Sequence, residues 1–138
     1  MKKLCLISAG LLLLSGCATQ PVPTEQATMV PQIRIIDMAY TTEKEGSASL
    51  IVKRDSGFAG SGCNVRIYID SQPIADIDRS EKIKIYVQPG EYTLSVEPTS
   101  ICVAGLKEIP IKVNSDDSKV YRIGYSGNSE LGIYQTRF

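Results

Sequence analysis

The chain has 138 residues, and its 15 basic and 15 acidic side chains give a formal net charge of zero. It contains no histidine and no tryptophan, which excludes Ser-His-Asp and Cys-His catalytic pairs and His-containing zinc sites. No basic patch stands out, which argues against nucleic acid as a partner.

The first residues predict a secretory signal peptide. Lys2 and Lys3 precede an apolar run from Leu4 to Leu14, and small residues follow it. The apolar run is too short to span a bilayer comfortably, and its flanks are those of a cleaved signal. Residues 1–16 are therefore expected to be removed, which leaves enough chain for one domain with a real core.

The end of this segment, Leu14-Ser15-Gly16-Cys17, resembles the lipobox of bacterial lipoproteins. The resemblance implies cleavage before Cys17, a diacylglycerol on its thiol and an acylated amine. Ala18, rather than Asp, implies an outer-membrane anchor with the domain facing the periplasm. Several acyl chains anchor stably where one binds only reversibly. The alternative is a plain signal peptide with an incidental cysteine.

Residues 17–32 contain three prolines and few large apolar groups. This composition predicts a flexible tether, followed by a folded domain over residues 33–138. Fully extended at about 3.1 Å per residue, such a tether would lift the domain roughly 40 Å from the lipid surface.

Short runs of alternating apolar and polar residues dominate the rest of the chain, and alternation with period two predicts half-buried strands. Strands are predicted at residues 33–39, 47–54, 65–70, 82–87, 92–97, 109–113, 120–125 and 131–138, with a short edge strand at 74–77. Pro89-Gly90 predicts a tight turn, and Pro110 favours an edge position or a bulge. The fold class expected is all-β: a small antiparallel β-sandwich or open barrel of about seven to eight strands.

Cys63 and Cys102 are the cysteines that remain once Cys5 leaves with the signal peptide and Cys17 is lipidated. In an oxidising compartment such a pair favours a disulfide. A metal site is disfavoured because two thiolates need two further soft ligands. Cys63 precedes one predicted strand and Cys102 follows another, so antiparallel pairing or packing across the core would bring the cysteines together.

An acidic cluster, Asp70, Asp76, Asp78 and Glu81, surrounds a predicted turn. Calcium loops need oxygen ligands at alternate positions and a sharp glycine turn, which this segment lacks. A carboxylate pair for glycoside hydrolysis would need a sugar cleft. The cluster is therefore interpreted as solvated turn residues, and no metal or cofactor is expected.

Two tyrosines lie at polar-facing positions of predicted strands, Tyr68 beside Arg66 and Tyr86 beside Lys82 and Lys84. If the two strands are neighbours, these residues form one exposed basic-aromatic face. Tyrosine and arginine are enriched at protein interfaces, so this face is a candidate interaction surface. The alternative is an ordinary solvated sheet face.

Residues 47–54, 58–62, 65–70 and 89–94 together resemble a family of uncharacterised bacterial lipoproteins, the DUF2846 type, which is similar to PEGA-like β domains. The shared pattern is a strand ending in a basic residue, a glycine-containing loop, a second strand, and Pro-Gly-x-Tyr-x-Leu. Ser71 stands where the family usually has glycine. The resemblance covers roughly residues 47–98; it implies a fold and an envelope setting, and carries over no catalytic residue.

These features predict a non-enzymatic, lipid-anchored periplasmic β domain that binds another envelope protein or supports an assembly. The alternative is an inhibitor or immunity protein, similar to small β lipoproteins that block lysozymes by inserting a Ser-Gly-containing loop. Ser126-Gly127-Asn128 is the candidate loop for that alternative.

Overall fold

The segments with alternating apolar and polar residues form β-strands. The structure, a computed structural model, describes residues 18–138; Cys17 and the signal peptide lie outside the described residues. The strands are β1 (Thr28–Met29), β2 (Ala48–Arg54), β3 (Val65–Ile69), β4 (Gln72–Ile77), β5 (Glu81–Val87), β6 (Gly90–Pro98), β7 (Lys107–Val113), β8 (Ser118–Tyr125) and β9 (Leu131–Thr136).

The strands form two sheets. One has the order β1-β5-β2-β8-β9 and the other the order β4-β3-β6-β7. Pairing is antiparallel except between β1 and β5 and between β2 and β8. Over the described residues the sheets do not close into a barrel. The predicted all-β class is confirmed, and the predicted edge positions of 74–77 and of Pro110 are confirmed in β4 and β7.

The core lies between the two sheets and follows the alternation. Leu50 and Val52 of one sheet and Val65 and Ile67 of the other are fully buried. Tyr121 and Tyr125, which the sequence pattern left undecided, also belong to the core, whereas Tyr134 is 44% exposed. Each sheet thus presents one apolar face to the other, as in sandwich packing.

The segment predicted as a flexible tether packs against the domain, so that prediction is wrong for residues 19–30. The Thr19 amide donates to the Tyr125 carbonyl at 3.0 Å. β1 pairs with the edge of β5, and Ala27 and Val30 are buried. The folded unit therefore begins at Thr19, because the edge of β5 offers unpaired backbone groups that an extended proline-containing segment can pair with.

The strand predicted over residues 33–39 is also wrong. Two 3-10 helices, Gln32–Arg34 and Met38–Thr41, occupy this stretch, and an isolated bridge between Ile35 and Ala75 separates them. The Asp37 side chain caps the second helix by accepting a hydrogen bond from the Ala39 amide. Ile33 is 93% exposed, so alternation here does not reflect a buried face.

The sandwich has two ends of different character. The disulfide end comprises the loops 55–64, 99–106 and 126–130 and the turn 78–80. The opposite end comprises the connections 42–47, 70–71, 88–89 and 114–117. β2 runs from the opposite end to the disulfide end over seven residues, which at about 3.3 Å per residue separates the ends by roughly 20 Å.

Candidate functional site

The four residues of the predicted basic-aromatic face lie on two different sheets. Arg66 and Tyr68 are in β3, which pairs with β4 and β6. Lys84 and Tyr86 are in β5, which pairs with β1 and β2. Each pair faces outward, because the alternate residues of its strand are buried. The prediction of one continuous face is therefore wrong, and the two halves are separate surfaces.

The β3 surface is already paired within itself. Arg66 donates two hydrogen bonds to Asp76, at 2.7 and 2.9 Å, and the Tyr68 hydroxyl donates to Glu97. The hydrogen bonds to Asp76 raise the pKa of Arg66, and burial together with Glu97 raises the pKa of Tyr68. These groups satisfy one another and leave little unpaired polar capacity for a partner.

The β5 surface contains a cleft of about 250 Å³ at the opposite end of the sandwich. Tyr40 from the second 3-10 helix, Tyr86 from the end of β5 and Tyr92 from the start of β6 converge on it. We call it the tyrosine cleft. Its lining residues are Ala39, Tyr40, Lys44, Ser47, Tyr86, Val87, Gln88 and Tyr92.

The chemistry of the tyrosine cleft suits binding. All three tyrosines are partly exposed. Burial and the neighbouring Asp37 and Asp70 raise the pKa of Tyr40, so its hydroxyl stays protonated as a donor. The Lys84 ammonium lies 5.2 Å from the centroid of the Tyr86 ring, a cation–π contact that orders this side chain.

Tyr40 and Tyr92 are members of the cleft that sequence reasoning missed. Tyr40 directly follows the stretch predicted as a strand, and Tyr92 shares the face of Leu94 in β6 and lies at the rim of the core. The Pro89-Gly90 turn, which follows β5 directly and starts β6, was the feature that could have placed Tyr92 beside Tyr86.

Three consecutive ionisable residues at the disulfide end, Lys53, Arg54 and Asp55, are buried, with exposures of 0%, 2% and 2%. The Arg54 guanidinium donates to the carbonyls of Cys63 at 2.7 Å, Gly60 at 2.6 Å and Ile77 at 3.2 Å. It thereby fixes the glycine-rich loop 55–62 to the ends of β3 and β4.

Asp55 and Lys53 hold the amino-terminal segment. Asp55 Oδ2 accepts from Arg122 at 2.5 Å and from the Thr19 hydroxyl at 3.2 Å. The Lys53 ammonium donates to the Val22 carbonyl at 2.5 Å. Burial lowers the pKa of Lys53 and raises that of Asp55 against the opposing effect of Arg122. These contacts fix the entry of the chain at the disulfide end.

Because burial raises the pKa of Asp55 in the folded state, its contribution to stability is complete below the unfolded pKa and is lost as the pH rises through the folded pKa. The Asp55→Asn variant lacks this titration. We therefore expect the wild type to lose stability relative to Asp55→Asn as the pH rises from below to well above the ordinary carboxyl pKa of 3.8. Urea unfolding of both proteins across that range measures the difference. A difference that is constant with pH would contradict the raised pKa.

The predicted disulfide is present. Cys63 and Cys102 are bonded, with their α-carbons 6.1 Å apart. Antiparallel pairing of β3 with β6 aligns Val65 with Pro98, which brings the residues before β3 and after β6 to the same end. The predicted bond between Cys63 and Cys102 is thus confirmed, and so is the expectation that antiparallel strands bring the two cysteines together.

The acidic cluster is distributed over several contacts. Asp76 pairs with Arg66, and Glu81 pairs with Arg34. Asp70 accepts a hydrogen bond from the Thr93 amide at 2.7 Å. Within residues 18–138 no group of three or more His, Cys, Asp or Glu side chains is arranged to hold a metal ion.

The Ser126-Gly127-Asn128 turn lies at the disulfide end and is bonded within itself. Ser126 Oγ contacts Asn128 Oδ1, and the Glu130 amide donates to Ser126 Oγ at 3.2 Å. Its proposed use as an inhibitory loop stays a prediction. Among the described residues, no helix is long and apolar enough to span a bilayer.

No protein-family model matches this sequence, and no curated protein matches it either. The resemblance over residues 47–98 and the lipobox resemblance at Cys17 therefore stay predictions.

Proposed function

We propose that this protein is a lipid-anchored, non-catalytic binding module of the bacterial envelope, held at Cys17 in the outer membrane and facing the periplasm. The observation that carries the proposal is the tyrosine cleft, where tyrosines from three separate elements converge around an open groove. Aromatic-lined grooves with a few polar groups are typical binding sites for peptide segments.

We propose an extended segment of another envelope protein as the occupant of the tyrosine cleft. The tyrosine rings offer flat apolar faces. The hydroxyls of Tyr40 and Tyr86 can donate to backbone carbonyls of a partner, whereas the Tyr92 hydroxyl donates to the Gln88 carbonyl at 2.8 Å. Lys44 at the rim adds one positive charge. The cleft lies at the end of the sandwich opposite to Thr19, so a domain anchored through residue 17 would present it away from the membrane.

The cleft predicts a site-specific crosslink in intact cells. A photoreactive phenylalanine analogue at position 86 should crosslink an envelope protein, because the side chain there lines the cleft. Adding Tyr40→Ala should reduce the yield about tenfold or more, because truncating a central interface tyrosine costs about 2 kcal/mol or more. Immunoblotting and mass spectrometry of the adduct measure both effects.

The matched control places the same analogue at position 68, the self-paired β3 surface, where no crosslink to that protein is expected. Equal crosslinking from positions 68 and 86 would contradict the cleft as the binding site. A crosslinking yield at position 86 that is unchanged by Tyr40→Ala would contradict it too.

The anchor predicts a processing defect in Cys17→Ser. The lipobox chemistry requires a thiol at position 17, so the variant should accumulate as an uncleaved precursor that takes up no radiolabelled palmitate. The wild type should label and partition with membranes. Ser15→Ala, which keeps a small residue at that position, serves as the control and should label like the wild type. Continued labelling of Cys17→Ser would contradict lipidation at this residue.

A further inference from the structure

The disulfide end carries large apolar side chains that project into solvent. Phe58 and Ile101 are each 87% exposed, and Val103 is fully exposed. We call these three residues the apolar tip. The Cys63–Cys102 bond ties their two loops together, and Gly60 of one loop and Val103 of the other line the same depression beside Tyr125.

The apolar tip is also uncharged along the sequence. Residues 56–65 and 98–106 contain no Asp, Glu, Lys or Arg. The connections of this end carry Asp55, Asp78 and Glu130 with the base Arg79, and Asp55 is buried against Arg122. The connections of the opposite end are more acidic: Glu43, Glu45, Asp70, Asp116 and Asp117 with the single base Lys44. Concentrated apolar exposure of this kind marks an interaction surface.

The chain enters the domain beside this tip. The Thr19 amide and hydroxyl are bonded to Tyr125 and Asp55, and the backbone of Thr19 touches that of Gly57, the residue before Phe58: a β-carbon built on Gly57 would lie 3.2 Å from the Thr19 α-carbon. The α-carbon of residue 17 can be no more than about 7.6 Å from that of Thr19, because consecutive α-carbons are about 3.8 Å apart.

We propose that the apolar tip rests in the lipid bilayer, with Phe58, Ile101 and Val103 inserted at the boundary between headgroups and acyl chains. The inference rests on the proposed lipidation of Cys17, which would fix residue 17 at that same depth. Because only one residue separates residue 17 from Thr19, the anchor would hold the tip at the membrane surface. The resulting high local concentration of the tip at the lipid makes even weak apolar insertion effective. Acidic residues at the opposite end disfavour the inverted orientation on anionic lipid.

The absence of tryptophan from the sequence allows a direct test. Phe58→Trp gives the full chain one tryptophan at the tip, and Tyr86→Trp gives one in the tyrosine cleft as the matched control. Each processed protein is reconstituted into phosphatidylcholine vesicles with plain or brominated acyl chains. The Phe58→Trp protein should lose most of its tryptophan emission in brominated vesicles, while the emission of the Tyr86→Trp protein should be the same in both.

A second variant tests the contact itself. Ile101→Asp with Val103→Asp, added to Phe58→Trp, places charges on exposed loop positions, so the protein should fold and float with vesicles as before. Its tip tryptophan should regain the unquenched emission. Quenching that these charges do not reduce would overturn the role of the tip.

The outcomes separate this inference from the proposed anchor. A Phe58→Trp protein that floats with vesicles but shows unquenched emission keeps its anchor and overturns the inserted tip. Unquenched, blue-shifted emission would place a second copy of the chain on the tip, which also overturns the insertion. A wild type that does not float at all would overturn the anchor and the insertion together.

Discussion

Replacing Arg54 with alanine should lower the free energy of unfolding by about 3–5 kcal/mol, because it breaks a buried hydrogen-bond network. The guanidinium is 2% exposed and satisfies the carbonyls of Gly60, Cys63 and Ile77. Without it, the carbonyls of Cys63 and Ile77 lose a buried donor and the Gly60 carbonyl keeps the Cys63 amide; each unsatisfied group costs about 1–3 kcal/mol. Urea unfolding followed by far-UV circular dichroism measures the loss.

Two further variants determine the cause of that loss. Arg54→Lys keeps the charge but has a single ammonium group in place of the planar guanidinium. We therefore expect an intermediate loss of unfolding free energy. Arg79→Ala removes an exposed arginine of the same end and should change stability by less than about 0.5 kcal/mol. A loss below about 1 kcal/mol for Arg54→Ala would show that the loop 55–62 satisfies its carbonyls by other means.

The alternation of apolar residues was sufficient to predict the fold class and most strands. In β2, Ala48, Leu50 and Val52 are buried as predicted. The same period places Arg54 on the inward face, and the structure confirms that parity. The alternating pattern therefore places Arg54 at an inward position. A buried cation there can be explained only once its carbonyl partners are known.

Alternation does not specify which sheet a strand joins. β3 and β5 each show a clean alternating pattern, yet β4 intervenes and β5 crosses to the other sheet, where it pairs with β2. Tyr68 and Tyr86 consequently lie on different surfaces. The tyrosine cleft depends on that assignment and on a 3-10 helix at Tyr40, neither of which a period of two can indicate.

The prediction from local composition was wrong where tertiary contacts override it. Residues 19–30 resemble a linker by their prolines and polar groups, but the edge of β5 and the buried side chains of Lys53 and Asp55 hold them in place. Lys53 lies at an outward position of β2 and is nevertheless fully buried, because this amino-terminal segment covers it. Neither partner reveals the contact when its sequence is considered alone.

Removing the disulfide should cost about 4 kcal/mol in the chain-entropy model, since the bond closes a loop over a sequence separation of 39 residues. Native protein should show no reactive thiol. Reduced, unfolded protein should show two beyond the lipidated residue. In Cys102→Ser, the Cys63 thiol should react with thiol reagents. The free energy of unfolding measured in urea should fall by the same amount.

The loss should be concentrated in the loop 99–106, because that loop carries the exposed Ile101 and Val103 and buries little apolar surface of its own. Limited proteolysis should therefore cut reduced protein there first, while the paired β3 and β6 stay protected. The double variant Cys63→Ala with Cys102→Ala is the control: it should match reduced wild type in stability and be insensitive to reductant. Native protein that reacts readily at both cysteines would show that the bond is absent, and the loop-closure argument would then contribute nothing to stability.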